Sequence, residues 1–305
     1  MSAIPDLSVV LPVFDEEANL PELYRRLTAV LAGLPGSYEI VFVDDGSRDN
    51  SLAILQKLAA ADSHVGVLAL SRNFGHQLAL TAGLDHACGA AVVLMDSDLQ
   101  DPPELIPELV ARHREGYEVV YAQRRARPGE SVFKRATAFL FYRGIRAIGN
   151  VDIPPDTGDF RLVSRRVADI LAQVRERRRF LRGLVTWVGF RQGRVLYERP
   201  PRAGGESKYD AAQMVRLALR AVFSFSTAPI TLIGLLGLAA MAGAATVAVA
   251  GELLPGALLL VGGVQLVSLW ILGQYIAVVS DEARRRPLYL VRERVNLQAA
   301  PASEE

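Results

Sequence analysis

Residues 92–110 read VVLMDSDLQDPPELIPELV: an apolar strand that runs into Asp96, Asp98 and Asp101, then two prolines and a helical pattern. Like charges this close repel, so a chain that gathers them at a strand end is built to meet a cation. Successive strand residues point to opposite sides, which puts Asp96 and Asp98 on the same side. Such hard oxygen ligands suit Mg2+ or Mn2+, which keeps several waters and binds through one or two carboxylates plus substrate phosphates. Asp101 reads instead as the cap of a helix over 102–115. An isolated Asp-x-Asp is common in plain acidic loops, so its surroundings decide.

Outward from this stretch, residues 7–123 alternate between short apolar runs and helical patterns. The strands are LSVVLPVF (7–14), EIVFV (39–43), VGVLAL (65–70), VVLM (92–95) and EVVYA (118–122). Between them lie helices over 20–32, with Asn19 as N-cap and Pro21 in the first turn, and over 51–61, 77–87 and 103–115. Near-continuous apolar strands separated by helices predict an α/β fold, Rossmann-like, with a mostly parallel sheet covered on both faces. Ligands of such sheets bind outside the carboxyl ends of the strands. Those ends carry FDEE (14–17), DDGS (44–47), SRN (71–73) and DSD (96–98), so the acidic clusters share one rim.

No G-x-G-x-x-G follows the first strand and no G-x-x-x-x-G-K-[ST] occurs, which argues against a classical dinucleotide site or a P-loop. His64, His76, His86 and His113 lack zinc-ligand spacing and read as ordinary surface or helix residues. The net charge of +1 marks no nucleic-acid binder, and the single cysteine, Cys88, excludes an internal disulfide. The N-terminal MSAIPDLSVVLPVF is not patterned as a secretory signal.

Half of the 305 residues are hydrophobic, and the mean hydropathy is +0.21. Much of this sits late in the chain: from 221 to 280 the one charged residue is Glu252. The runs 226–250 and 253–279 each exceed the ~20 residues a bilayer core needs. Glu252, Pro255 and Gly256 mark a turn between them, and a buried helical hairpin of a soluble core is the alternative. Arg216 and Arg220 precede the pair and Arg284, Arg285 and Arg286 follow it, which places both flanks and both termini in the cytoplasm. In 209–223, Gln213, Arg216 and Arg220 share one face and Val215, Leu219 and Val222 another, as in a helix lying on the leaflet. The expected organisation is a cytosolic domain over 1–208, an interfacial helix over 209–224, two membrane helices within 225–280 and a cytosolic tail over 281–305. A short strand over 288–291 is expected to pair with the catalytic domain or with a neighbouring subunit.

The acidic strand ends, SRNFGHQLALTAGLDHA (71–87), DSDLQDPPE (96–104), DTGDFRL (156–162) and GGESKY (204–209) together resemble inverting family-two glycosyltransferases of GT-A fold. More narrowly they resemble the polyprenyl-phosphate group, which holds dolichyl-phosphate mannosyltransferases and bacterial undecaprenyl-phosphate glucosyltransferases. The resemblance implies that Pro12, Glu16, Asp44 and Asp45, assisted by Arg72, hold the base and ribose. It implies that Asp96, Asp98 and Gln100 bind the metal, Mg2+ or Mn2+, and the sugar diphosphate, with Asp98 and Asp159 the catalytic carboxylates. An acceptor phosphate monoester is mostly dianionic at neutral pH and hardly needs a base, so a positioning role for Asp159 is preferred to base catalysis.

An anionic acceptor needs cations: Arg124 with Arg125, Lys134 with Arg135, the run 175–182, and Arg202 with Lys208 are the candidates. Most of the arginines in 175–182 read as a solvated or lipid-facing surface, and Lys208, after a flexible Gly-Gly, as the better phosphate ligand. LQDPPE and SRNFGH point to UDP-glucose as donor ahead of GDP-mannose. A processive polysaccharide synthase would carry a Q-x-x-R-W element that this chain lacks; a catalytically silent nucleotide-sugar or lipid-phosphate binder is the alternative of another class. Partners are thus a nucleotide sugar, a polyprenyl phosphate and the plasma membrane, with a homo-oligomer compatible with the glycine-rich spans.

Overall fold

Strand formation at the start of the chain follows from its composition: β1 (Leu7–Val13), β2 (Tyr38–Asp44), β3 (Val65–Leu70) and β4 (Ala91–Leu94) are runs of β-branched and apolar residues buried almost throughout. The computed structural model describes residues 4–125, 157–176, 179–198 and 254–297. Helices α1 (Leu20–Ala32), α2 (Ser51–Ala61) and α3 (His76–His86) connect these strands. A 3-10 turn (Pro103–Leu105) and α4 (Ile106–Arg114) lead from β4 to β5 (Val119–Arg124). Then come β6 (Thr157–Ser164), α5 (Arg165–Gln173), α6 (Leu181–Trp187), β7 (Gln192–Tyr197), α7 (Leu254–Ala283) and β8 (Val291–Val295).

The eight strands form one sheet in the order β7-β5-β6-β4-β1-β2-β3-β8. β4, β1, β2 and β3 pair in parallel, as do β5 and β7, while β6 and β8 run antiparallel to their neighbours. The expected mostly parallel sheet is therefore observed, with β6 inserted against the grain. That insertion positions the site. Leu94, the last residue of β4, is paired with Arg161, and because β6 runs antiparallel, Asp159, two residues before Arg161, falls beyond the carboxyl end of β4, towards Asp96. The core beneath is apolar and dry, with Leu11, Phe42 and Phe160 fully buried.

Two compact units divide the chain: Met1–Glu130, Asp152–Glu206 and Pro287–Glu305 form one, Ser131–Val151 and Ser207–Arg286 the other. The sheet, with β8, belongs to the first. The expected tail strand is thus present but begins three residues later than predicted, at Val291, and pairs with β3 of its own chain. Asn296 donates to the Ala59 and Val65 carbonyls at 2.7 and 3.0 Å. Leu297 lies over Gly66, where a Cβ would fall 2.2 Å from its side chain.

In the second unit, α7 runs for 30 residues, roughly 45 Å at 1.5 Å per residue. Its segment Val261–Ser280 is long and apolar enough to cross a membrane. Leu258, Leu269, Ile276 and Val279 stand exposed on it. Pro255 and Gly256 fall in its first turn rather than in the expected reverse turn, because proline is tolerated where the helical N–H has no partner. The first apolar run, 226–250, and the interfacial helix lie outside the described residues.

Candidate active site

One side of the carboxyl rim is built on β1 and β2. Asp15, at φ 55°, takes the Arg48 N–H on its carboxylate at 2.7 Å, and its own N–H donates to Ser47 Oγ. The Glu16 N–H donates to Ser51 Oγ at 2.9 Å, so the loops after β1 and β2 are laced together. Asn19 does not cap α1 with its side chain as expected; its amide turns back to the Glu16 carboxylate at 2.5 Å. Asp44 is buried at the end of β2, and burial pushes its pKa up although Ser47 N–H donates to it. Asp45 takes the N–H groups of Phe74 and Gly75, one on each oxygen, at 2.7 and 2.9 Å. It therefore holds the loop after β3. Gly46, at φ +72°, lies so near that loop that a Cβ would stand 2.6 Å from the Arg72 carbonyl carbon. Arg72 is exposed and stacks over Phe74 at 4.1 Å. Pro12 is buried in β1, and its carbonyl accepts the Ser97 hydroxyl at 2.8 Å, tying the loop after β4 to β1.

That loop departs from expectation. β4 ends at Leu94, so Asp96 and Asp98 sit in irregular chain, turned by Leu99 at φ 60°, and not on strand positions. Ser97 is buried between the two half-buried residues Asp96 and Asp98. Gln100 is buried and donates its N–H to Asp98 Oδ1 at 3.0 Å. Asp101 is not a helix cap: it is buried, and its carboxylate accepts the Tyr197 hydroxyl at 3.0 Å. Burial and the Asp101 charge push the Tyr197 hydroxyl up to about 12.

Asp159 is the hub of the rim. Its carboxylate is buried and accepts a bidentate pair from Arg182, Nε to Oδ1 at 2.8 Å and Nη2 to Oδ2 at 3.1 Å. Gln77 Nε2 donates to Oδ2 at 3.1 Å, and His76 Nε2 lies 3.2 Å from the same oxygen. Buried Arg161 holds the strand turn through the Gly158 carbonyl at 2.8 Å and lies 3.9 Å from Asp159 Oδ1. Burial alone would raise the Asp159 pKa; Arg182, His76 and Arg161 outweigh it and hold the group well below the usual carboxylate range. Burial in turn lowers the Arg161 guanidinium to about 10.

His76 also faces Asp96 Oδ1 at 3.4 Å, and so spans the gap between the two carboxylates. Burial would lower its pKa, but Asp159 and Asp96 raise it. Asp96 behaves in the opposite way to Asp159: burial, with Asp101, Asp159 and Asp98 nearby, raises it to about 7 against the pull of His76. His76 is thus no ordinary helix residue. Neither its spacing nor its residue type signalled this; the one cue was its place after SRNFG at a strand end.

The run 175–182 is likewise not a plain solvated face. Arg175 pairs with Asp85 at 2.6 Å, buried Arg179 donates to the Leu171 and Val174 carbonyls, and Arg182 reaches Asp159. Arg124 donates to the Tyr197 hydroxyl at 3.2 Å, and its guanidinium lies where a Gly158 Cβ would meet it at 3.2 Å, next to Asp159. Arg125 points away toward Glu198. Lys134, Arg135, Arg202 and Lys208 lie outside the described residues.

The residues fit a divalent ion of one particular kind. Asp96 Oδ1 is buried and, apart from His76 Nε2 at 3.4 Å, makes no hydrogen bond, a costly state that a cation would relieve further. Among the described residues no three His, Cys, Asp or Glu side chains are grouped to enclose an ion. Asp96 and Asp98 offer two carboxylates, the kind of oxygen donor that Mg2+ or Mn2+ would take alongside water and phosphate oxygens.

Residues 8–171 match the sequence family described as glycosyl transferase family 2. The chain is 44% identical over 310 residues to an uncharacterized glycosyltransferase, sll0501, of Synechocystis sp., covering 97% of this chain and 98% of that protein. It is 38% identical over 300 residues to the bactoprenol glucosyl transferase of Shigella phage SfV, covering 94% and 98% respectively. Among solved structures, glucosyl-3-phosphoglycerate synthase from Mycobacterium tuberculosis, in complex with Mn2+, UDP and glucosyl-3-phosphoglycerate, shares the fold at a TM-score of 0.50 and 19% identity, over 73% of this chain and 80% of that one.

Proposed function

The chain belongs to glycosyl transferase family 2, and we propose that within it the protein moves a hexose, glucose from UDP-glucose, onto a polyprenyl phosphate at the membrane surface with inversion at the anomeric carbon. The observation that carries the acceptor class is the reach of the likeness to a bactoprenol glucosyl transferase. It runs over 94% of the chain and so takes in the apolar C-terminal third as well as the catalytic sheet.

Chemistry at the rim accords with that reading. Asp44, Glu16 and Pro12 line the side where base and ribose would lie, with Arg72 exposed beside them. Asp96 and Asp98, with Gln100 shaping their loop, would hold Mg2+ or Mn2+; the ion supplies Lewis-acid neutralisation of the departing nucleoside diphosphate. A phosphate monoester with a second pKa near 6 arrives already ionised and needs no base. Asp159, locked in its ionised form by Arg182, Gln77 and His76, is suited to orient the sugar rather than to take a proton. The domain organisation that goes with this reading is a cytosolic catalytic domain over 1–208, an interfacial helix over 209–224, two membrane helices within 225–280 and a tail over 281–305.

The test uses purified protein with undecaprenyl phosphate and Mg2+ or Mn2+, given radiolabelled UDP-glucose or GDP-mannose separately. Label from UDP-glucose should enter the organic phase, vanish with EDTA and fall by at least about 100-fold in Asp98→Ala, the equivalent of roughly 3 kcal/mol. Label from GDP-mannose alone would reassign the donor. Nucleotide binding with no lipid-linked label from either would favour a silent binding protein.

A further inference from the structure

On the function just proposed, a dianionic acceptor must approach a site that already holds the buried carboxylate of Asp159. Alone, that carboxylate would repel it. Asp159 is not alone: Arg182 pairs with it at 2.8 Å and Arg161 stands 3.9 Å away, so one negative charge faces two permanent positive ones. Arg161 is buried and spent on the Gly158 carbonyl. Arg182, besides its pair with Asp159, has about a third of its side chain (34%) open to solvent.

We infer that Arg182 is a binding residue for the phosphate monoester of the lipid acceptor, sharing its guanidinium between Asp159 and the incoming phosphate. The inference rests on the acceptor class proposed above. An arginine fork presents five N–H donors and matches carboxylate and phosphate alike, so a dianion can join the pair without displacing Asp159. Gln77 makes the arrangement rigid. Its Nε2 donates to Asp159 Oδ2 while its Oε1 accepts the Leu181 N–H at 3.0 Å, which anchors the start of α6 and hence Arg182. The acceptor cations sought in 124–125, 134–135 and 202–208 thus gain a partner from a run that reads, in sequence, as solvated surface.

Full-length protein in detergent, with UDP-glucose, Mg2+ and citronellyl phosphate as a short acceptor, provides the test. Arg182→Gln should raise the acceptor KM by at least about tenfold, leave UDP affinity within about twofold, and be partly rescued in Arg182→Lys, which keeps the charge. Gln77→Leu loosens the same network without removing the cation and should lower kcat with a smaller effect on acceptor KM. Inorganic phosphate competing with the acceptor in the wild type but not in Arg182→Gln would place recognition in the headgroup alone. Competition only by undecaprenyl phosphate would require the lipid chain as well; either supports the inference. An unchanged acceptor KM with reduced kcat, an equal KM rise in Gln77→Leu, or a loss of UDP affinity would overturn it. Wild-type protein that forms no lipid-linked sugar from any donor would count against the proposed function. Direct binding of citronellyl phosphate, tenfold weaker or unchanged in Arg182→Gln, would then decide the inference by itself.

Discussion

At the scale of single residues, two positions have consequences beyond the chemistry. Gly46 holds a left-handed turn pressed against the loop after β3, with no room for a Cβ. Gly46→Ala should cost about 1–3 kcal/mol through strain and displacement of the Phe74 and Gly75 amides from Asp45. Thermal unfolding and a UDP titration would register both effects. His86 is buried, donates Nδ1–H to the Ala82 carbonyl, and has a buried Nε2 without a partner. Burial, with Arg294 nearby, lowers its pKa, while Asp85 acts weakly the other way. The unfolded chain then binds the proton more readily than the folded one, so this contribution to stability is complete above the unfolded value near 6.5 and is lost as pH falls through the folded value. The Tm of the wild type should drop between pH 7.5 and 5, and the drop should be smaller in His86→Phe. Glycine and acid at strand ends could be seen in sequence; the role of His76 could not, because it depends on a carboxylate 83 residues away.

Among elements, β8 and β6 do what no local pattern announces. β8 closes the β3 edge, and the Leu290 carbonyl accepts the Ser71 N–H at 2.8 Å at the base of the loop that Asp45 organises. Tyr289 donates to buried Asp85 at 2.8 Å. Tyr289→Phe should lower stability by about 1.5–3 kcal/mol, the worth of a hydrogen bond to a charged group. Removing 287–305 should leave an open β3 edge and a strong tendency to aggregate, measured by light scattering. Full solubility and stability without the tail would show that β8 is dispensable. Strands β1 to β4 and their helices fell where apolar runs and helical periodicity predict them, since those signals are local. β6 was legible only as the DTGDF motif, because its antiparallel insertion between β4 and β5 is a long-range pairing.

At the scale of the whole chain, the sequence carries a long apolar helix, α7, and then β8, which pairs with β3. Leu269, exposed near the middle of Val261–Ser280, offers a direct test of the membrane reading. Leu269→Arg should disfavour insertion by about 2.5–3.5 kcal/mol and shift protein from the carbonate-resistant membrane fraction to the extractable one. Equal resistance in mutant and wild type would argue that α7 does not meet lipid.

Sequence by itself determined the fold class, the rim and the family resemblance, because apolar periodicity, turn residues and clustered acid are written in consecutive positions. It also singled out Asp96, Asp98 and Asp159, through the strand-end pattern and the family resemblance. Tertiary structure alone decided their different states. Asp96 is pushed up toward 7 by burial among other acids. Asp159, more deeply buried, is held ionised by Arg182 from α6 and by His76 and Gln77 from α3. A carboxylate's charge depends on the low-dielectric space around it and on the cations folding brings within hydrogen-bond reach, and neither is a property of neighbours in the chain.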